Sequence, residues 1–273
     1  MTETISSAAN PLVKRIRLLT AQNRKYRREQ GAFVVEGIQP VWRAVTAGWP
    51  VEVLIADAAL RADSAAAALV AEQEAAGVRT VRLAHDLFVR LASRDGSPGL
   101  AAIVATRRTA LADLPVTPGS VFAALHRIAN PGNLGTIIRT LDAAAGASGA
   151  GLILIGDSTD PYSPAAVKAS MGSLFAVPVA HTPTADAFFD WADAHEIATL
   201  ATSGSAETDH WHAGYQRPLA VLFGSEGDGL PASVLARAGQ RVAIPMTGTA
   251  ESLNLAAAAA ILLYEIFRPG EDT

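Results

Sequence analysis

The sequence predicts an α/β protein in two domains. Short apolar runs alternate with amphipathic helical segments along nearly the whole chain, the pattern of helices laid over a sheet. The alternation breaks once, at Arg107 to Ser120, where Leu114-Pro-Val-Thr-Pro-Gly-Ser interrupts all periodicity. The division expected is 1–107 for a first α/β domain, 108–119 for a linker and 120–273 for a second. Three loops at expected strand ends, 130–139, 224–230 and 246–254, collect Gly, Asn, Ser and Glu, and such loops are where open α/β sheets bind ligands.

In the first domain Asn10 caps a helix with Pro11 at its first position, carrying Leu12, Val13, Ile16 and Leu19. Asn-Arg-Lys-Tyr-Arg-Arg (23–28) then gathers four cations around one aromatic. Strand 32–36, helix 38–47 ending at Gly48, strand 51–56, helix 58–76 ending at Gly77, strand 78–83, a helix near 85–91 and strand 100–106 follow. In the second domain strand 121–128 leads into Asn130-Pro-Gly-Asn, a tight turn that opens a helix. Leu134, Ile137, Ile138 and Leu141 form its buried stripe at i, i+3, i+4, i+7, with Thr136, Arg139 and Asp142 opposite and Gly146 at its end. Strand 152–155, helix 164–175, strand 177–180, helix 185–195, strands 197–201 and 219–223, helix 231–238, strand 241–245 and a last helix after 254 complete the order.

Composition narrows the function. With no cysteine, disulfides, thiolate metal sites and cysteine nucleophiles are excluded. No apolar signal-peptide core opens the chain and its longest apolar run, Leu255 to Tyr264, is too short for a bilayer, so a soluble cytoplasmic protein is expected. The net charge of −4 hides an asymmetry: residues 1–48 hold eight Lys/Arg against three Glu, a balance of +5, and the remainder carries −9. Such a basic end suits a polyanion. Lys14, Arg24, Lys25, Arg27 and Arg28 are the candidate nucleic-acid-binding cations, neutralising phosphates while Tyr26 stacks on a base; the alternative is a solvated helix end. His85 reads as a cap or surface residue. His210 and His212 would point to opposite sides of an extended segment, so no metal site is expected. The phosphate-loop, dinucleotide and hydrolase-elbow signatures are all missing, which disfavours a nucleotide-binding metabolic enzyme.

Asn133-x-Gly135-x-x-x-Arg139-Thr140, Leu222-Phe-Gly-Ser-Glu-Gly-x-Gly-Leu230 and Ile244-Pro-Met-x-Gly-x-x-Glu-Ser-Leu-Asn254 resemble, in order, the three motifs of the SpoU branch of SPOUT RNA methyltransferases. Pro161-Tyr-Ser-Pro and Lys168-Ala-Ser-Met-Gly-Ser-Leu-Phe175 are also similar to that family. Asn10-Pro-Leu-Val-Lys and Phe33-Val-Val-Glu-Gly resemble its ribosomal-protein-like RNA-binding domain. The resemblance implies a SPOUT domain with a mostly parallel sheet and a trefoil knot, S-adenosylmethionine as methyl donor, a ribose 2′-hydroxyl as acceptor, and a homodimer. It implies ribosomal RNA before transfer RNA as substrate. A non-catalytic RNA-binding or ribosome-assembly factor is the competing class. By analogy Asn133, Arg139, Glu226, Ser252 and Asn254 form the catalytic neighbourhood, and Ser203, Phe223, Gly224, Ile244, Met246 and Leu253 meet the cofactor. Five have a plainer alternative: core packing for Ile244 and Leu253, a helix cap for Ser252, a loop-to-helix hydrogen bond for Asn254 and a glycine-turn anchor for Glu226. Making an arginine half neutral near pH 7 costs about 8 kcal/mol, so a cation gripping phosphate or alkoxide is the economical reading of Arg139. No metal is required.

Overall fold

Short continuous apolar runs pair as strands and period-3.6 runs cover them, giving two sheets in the computed structural model, which describes residues 4–91, 99–146 and 149–268. The ends of the expected domains, 1–3 and 269–273, lie outside the described residues. The chain divides into two compact units: one holds the chain up to Arg107 and again Asp160–Phe175, the other holds Arg108–Thr159 and the chain from Ala176.

The first unit runs β1 (Thr4–Ile5), α1 (Pro11–Thr20), α2 (Arg24–Gln30), β2 (Ala32–Glu36), α3 (Ile38–Thr46), β3 (Val51–Asp57), α4 (Ala65–Ala75), β4 (Thr80–Leu83), α5 (His85–Leu91) and β5 (Leu100–Ala105). Its sheet order is β1-β4-β3-β5-β2, parallel from β1 to β3 and antiparallel on both sides of β5. Val13, Ile16 and Leu19 of α1 pack on Val34, Ile55, Val81 and Ile103, all at most 7% exposed. Asn10 and Pro11 start α1 as expected, the Asn10 side chain accepting from Leu12 N. The helix expected over 58–76 begins only at Ala65, because Asp57 holds the Ala59 N–H in a turn and Ser64 supplies the cap.

The second unit runs β6 (Val121–His126), α6 (Pro131–Ala145), β7 (Ala150–Ile155), then, beyond residues 160–175, β8 (Val179–Thr182), α8 (Ala185–Ala194), β9 (Ala198–Thr202), β10 (Leu219–Phe223), α9 (Ala232–Arg237), β11 (Gln240–Val242) and α10 (Leu255–Ile266); α7 (Pro164–Ser170) lies in the excursion. The sheet order is β11-β9-β10-β6-β7-β8 and every pairing is parallel. All strand carboxyl ends therefore share one edge. One face of this sheet packs on Phe188, Phe189 and Trp191 of α8, and α6 packs against α10.

Four further expectations change. The linker 108–119 is built into the second unit, where Leu114 is 4% exposed and joins the core. The helix expected over 164–175 stops at Ser170, because Met171 and Gly172 take φ of 49° and 89° before a 3-10 turn at Ser173–Phe175. That excursion belongs to the first unit. There Phe175 and Tyr162 pack against Phe33 and Trp49, and the Trp49 indole N–H donates to the Phe175 carbonyl at 3.1 Å. His210–His212 is a 3-10 turn, not an extended segment, with His210 buried and His212 exposed.

Candidate active site

Two helices start at the same place. Asn130 caps α6, its side-chain oxygen accepting from Gly132 N at 2.8 Å and Asn133 N at 3.2 Å. Asn254 caps α10 in the same way, accepting from Ala256 N at 2.9 Å and Ala257 N at 3.4 Å. The two caps are joined through Asn133, whose Oδ1 accepts from Asn254 Nδ2 at 3.1 Å. Asn133 Nδ2 in turn donates to Glu226 Oε1 at 3.0 Å, from the loop after β10. The backbone N–H of Asn130 donates to the same oxygen at 3.2 Å, and that of Ala129 to Oε2 at 3.3 Å. Glu226, Asn133 and Asn254 thus form one connected triad that brings the amino termini of α6 and α10 together.

The triad has a defined electrostatic state. Partial burial pushes the Glu226 carboxyl up, but the donors outweigh it: the Asn133 amide first, then its own backbone N–H and those of Ala129 and Asn130. The net result lies below the ordinary carboxylate range, so Glu226 is ionised at neutral pH. Asn133 is 8% exposed and its amide orientation is fixed from both ends. Two helix amino termini, each with a positive macrodipole end, converge on this point. The anion that this point holds is the Glu226 carboxylate itself.

The remaining expected positions fall along the same sheet edge. Gly224 ends β10, and a Cβ there would lie 2.1 Å from Gly229 C and 2.3 Å from Leu230 N, so the loop can fold back on itself only over glycine. Ser203 ends β9, and its N–H donates to the Val242 carbonyl at 2.9 Å. Ile244 is half-buried, while Met246 and Leu253 are 39% and 38% exposed, an apolar wall presented to solvent. Phe223 is fully buried, so its side chain belongs to the core and is not presented to a cofactor. A glycine floor with apolar walls suits an adenosyl group.

Ser252 is exposed, and the helix cap that is its plainer alternative falls to Asn254. Arg139 stands on the exposed face of α6, with no ion pair or side-chain hydrogen bond among the described residues; the structure does not bond it to the triad. The backbone N–H groups of Ala129 and Asn130 were missing from the sequence reading. Only the Asn-Pro helix start hinted at them.

In the first unit, Lys14, Arg24, Lys25 and Arg28 are exposed. Arg27 is not. It is 4% exposed, its Nε donates to Asp160 Oδ2 at 2.8 Å, and its Nη1 donates to the carbonyls of Leu19 and Ala21 at 3.0 and 2.7 Å. A buried guanidinium with three of its five N–H groups on internal acceptors is out of reach of a phosphate, so Arg27 leaves the set of candidate RNA contacts. His85 Nδ1 bonds the buried Asp57 at 2.8 Å at the start of α5.

Comparison with known proteins decides the lineage. Residues 120–264 match the SpoU rRNA Methylase family, and residues 10–102 match the MRM3-like substrate binding domain. The chain belongs to the SpoU rRNA methylase family. This SpoU protein is 34% identical over 257 residues to the 23S rRNA (uridine(2479)-2′-O)-methyltransferase of Streptomyces viridochromogenes, covering 90% of this chain and 86% of that one. It is 28% identical to the 23S rRNA (guanosine(2553)-2′-O)-methyltransferase of Bacillus subtilis, over 96% of this chain and 98% of that one. Among solved structures, the AdoMet-bound rRNA methyltransferase from Sinorhizobium meliloti superposes with a TM-score of 0.87 at 35% identity, covering 98% of both chains. Among the described residues no helix of the SpoU chain is long and apolar enough to cross a membrane.

Proposed function

We propose that this chain transfers a methyl group from S-adenosylmethionine to a ribose 2′-hydroxyl of ribosomal RNA in the cytoplasm. The observation that carries this reading is the triad Glu226–Asn133–Asn254, which fixes the starts of α6 and α10 beside the apolar wall of Ile244, Met246 and Leu253. Family membership and the AdoMet-bound neighbour support it. Gly224, Ser203, Ile244, Met246 and Leu253 would hold the cofactor, which supplies an electrophilic methyl group when bound. Glu226 already accepts from three donors, so it serves as an anchor rather than a base. Arg139, as a cation, grips the adjoining phosphate and stabilises the developing alkoxide; the hydroxyl proton leaves to solvent water, and the methyl–sulfur bond breaks as the methyl–oxygen bond forms, releasing the thioether. Holding the hydroxyl in line is worth about 7–11 kcal/mol of barrier in well-oriented systems. Lys14, Arg24, Lys25 and Arg28 of the first unit carry the phosphate-binding charge.

The same reading includes a homodimer. The face of α10 turned away from its buried stripe shows Ile261 and Tyr264, and Trp211, on the turn packed against that helix, is 62% exposed. A second copy is the occupant that would cover three such side chains. Tyr264→Glu with Trp211→Glu should give monomers in sedimentation, and a wild-type monomer would remove the dimer.

Calorimetric titration with S-adenosylmethionine, followed by mapping of 2′-O-methyl sites on ribosomal RNA from cells with and without the protein, tests the activity. Binding of the cofactor and one missing methyl mark are expected. No binding would leave a non-catalytic RNA-binding factor as the better reading. Arg139→Ala should abolish transfer with cofactor affinity nearly intact, and Arg139→Lys separates the planar fork from simple charge.

A further inference from the structure

We propose that Arg127 is a second RNA-backbone contact, gripping a phosphate on the acceptor strand on the side of the site away from the cofactor. The proposal rests on the methyltransferase reading above and deepens it. Arg127 holds φ at 53°, in the left-handed region that L side chains avoid. Ten of the thirteen described residues with positive φ are glycine, so the chain uses glycine readily where only a turn is needed. An arginine kept in such a conformation beside a functional site points to a use for its side chain.

The side chain has a seat. Arg127 Cγ lies 3.3 Å from where a Cβ on Gly156 would stand, so the stem crosses a bare glycine at the end of β7. The guanidinium makes no hydrogen bond or ion pair among the described residues, whereas Arg15 pairs with Glu52, Arg27 with Asp160 and Arg237 with Asp186 and Asp190. His126 beside it is held below its ordinary range by burial first and then by the Arg127 charge, so the imidazole adds no competing cation at neutral pH.

Sheet order supplies the direction. The edge runs β11-β9-β10-β6-β7-β8, and the expected cofactor positions end β11, β9 and β10. Arg127 follows β6, two and three residues before the N–H groups that hold Glu226, and its stem leans onto β7, the opposite neighbour from β10. With the methyl donor on the β10 side, the acceptor strand has the β7 side to occupy, and β7 lies two strand spacings, about 10 Å, from β10. A planar fork there matches a phosphate.

Arg127→Gly tests this, because glycine accepts the backbone conformation and removes only the side chain. The probe is large-subunit ribosomal RNA from cells lacking the protein. The variant should melt at or above the wild-type temperature and bind S-adenosylmethionine equally. It should bind the RNA about tenfold more weakly, with a KM raised in proportion and a salt slope smaller by about 0.7. Arg127→Lys should restore part of the loss. A glycine variant with wild-type RNA affinity, KM and salt slope overturns the proposal while leaving the activity standing. Failure of the wild-type protein to bind cofactor or methylate the RNA overturns the functional reading, and this proposal with it.

Discussion

Replacing Glu226 by glutamine probes the triad with almost no change of shape. Glu226 accepts from three donors: Asn133 Nδ2 and Asn130 N on Oε1, and Ala129 N on Oε2. Glutamine can keep its oxygen for the first two, and its amide nitrogen then meets the Ala129 N–H as donor against donor. One bond of 3.3 Å is lost and the charge assistance to the other two disappears. Buried hydrogen bonds to charged groups contribute about 1.5–3 kcal/mol, but this carboxylate faces solvent, so the expected loss is about 1 kcal/mol. For a chain of this size that corresponds to a melting temperature lower by about 2–4 °C. The pH dependence identifies the cause. The folded carboxyl titrates below its unfolded value, so its stabilisation is fully present above the unfolded value and is lost as pH falls through the folded one. The gap between wild type and variant should stay constant from about pH 8 to about pH 5.5 and close towards about pH 3, measured by paired thermal melts. A variant as stable as wild type at neutral pH, or a gap that widens in acid, would refute the assignment of these three donors.

Three further outcomes follow from the geometry. Asp160→Asn leaves the buried Arg27 guanidinium without its counter-charge and should cost about 3–5 kcal/mol in urea denaturation; a loss under about 1 kcal/mol would mean that the pair is not buried in solution. Substituting Arg24, Lys25 and Arg28 together by Gln should lower the log–log salt slope of RNA binding by about 2, as expected for three single-strand phosphate contacts. An unchanged slope returns this cluster to the solvated surface. Gly224→Ala places a Cβ 2.1 Å from Gly229 C, so the loop after β10 must open. Calorimetry should then show S-adenosylmethionine affinity reduced tenfold or more, and wild-type affinity would remove that loop from the cofactor site.

Where local pattern decides structure, the residues were legible. The Leu134, Ile137, Ile138 and Leu141 stripe is buried throughout, and Asn10-Pro11 and Asn130-Pro131 both start helices. Periodicity carries no information about strand direction, and so the antiparallel pairing of β5 with β2 and β3 in the first sheet could not be read. Burial of a charge was equally hidden. Arg27 and Arg28 look alike in the basic run, yet the internal carbonyls of Leu19 and Ala21 and the distant carboxylate of Asp160 capture only the first. The excursion 160–175 was misplaced for a similar reason: its Tyr162 and Phe175 find partners in Phe33 and Trp49, more than a hundred residues earlier.

The site itself divides between what motif spacing carries and what only the fold supplies. Glu226, Asn133 and Asn254 lie far apart in sequence, and each has an ordinary local use: an anchor at a glycine turn, a first-turn helix residue and a helix cap. Asn254 does cap α10, and Glu226 does hold backbone N–H groups. The plain roles and the proposed functional one therefore rest on the same bonds. Capping fixes the Asn254 oxygen onto α10 and leaves its amide nitrogen to reach Asn133, whose own nitrogen reaches the carboxylate. Removing any one of the three frees a helix start as well as a polar group, so stability and turnover should fall together. Arg127 and Arg139 carry no such structural duty: neither is bonded to another described side chain, and one of them holds a backbone conformation that glycine would adopt more easily. Substitutions at the arginines should thus change RNA handling with the fold intact, and that outcome would separate the frame of this site from the groups proposed to meet its substrate.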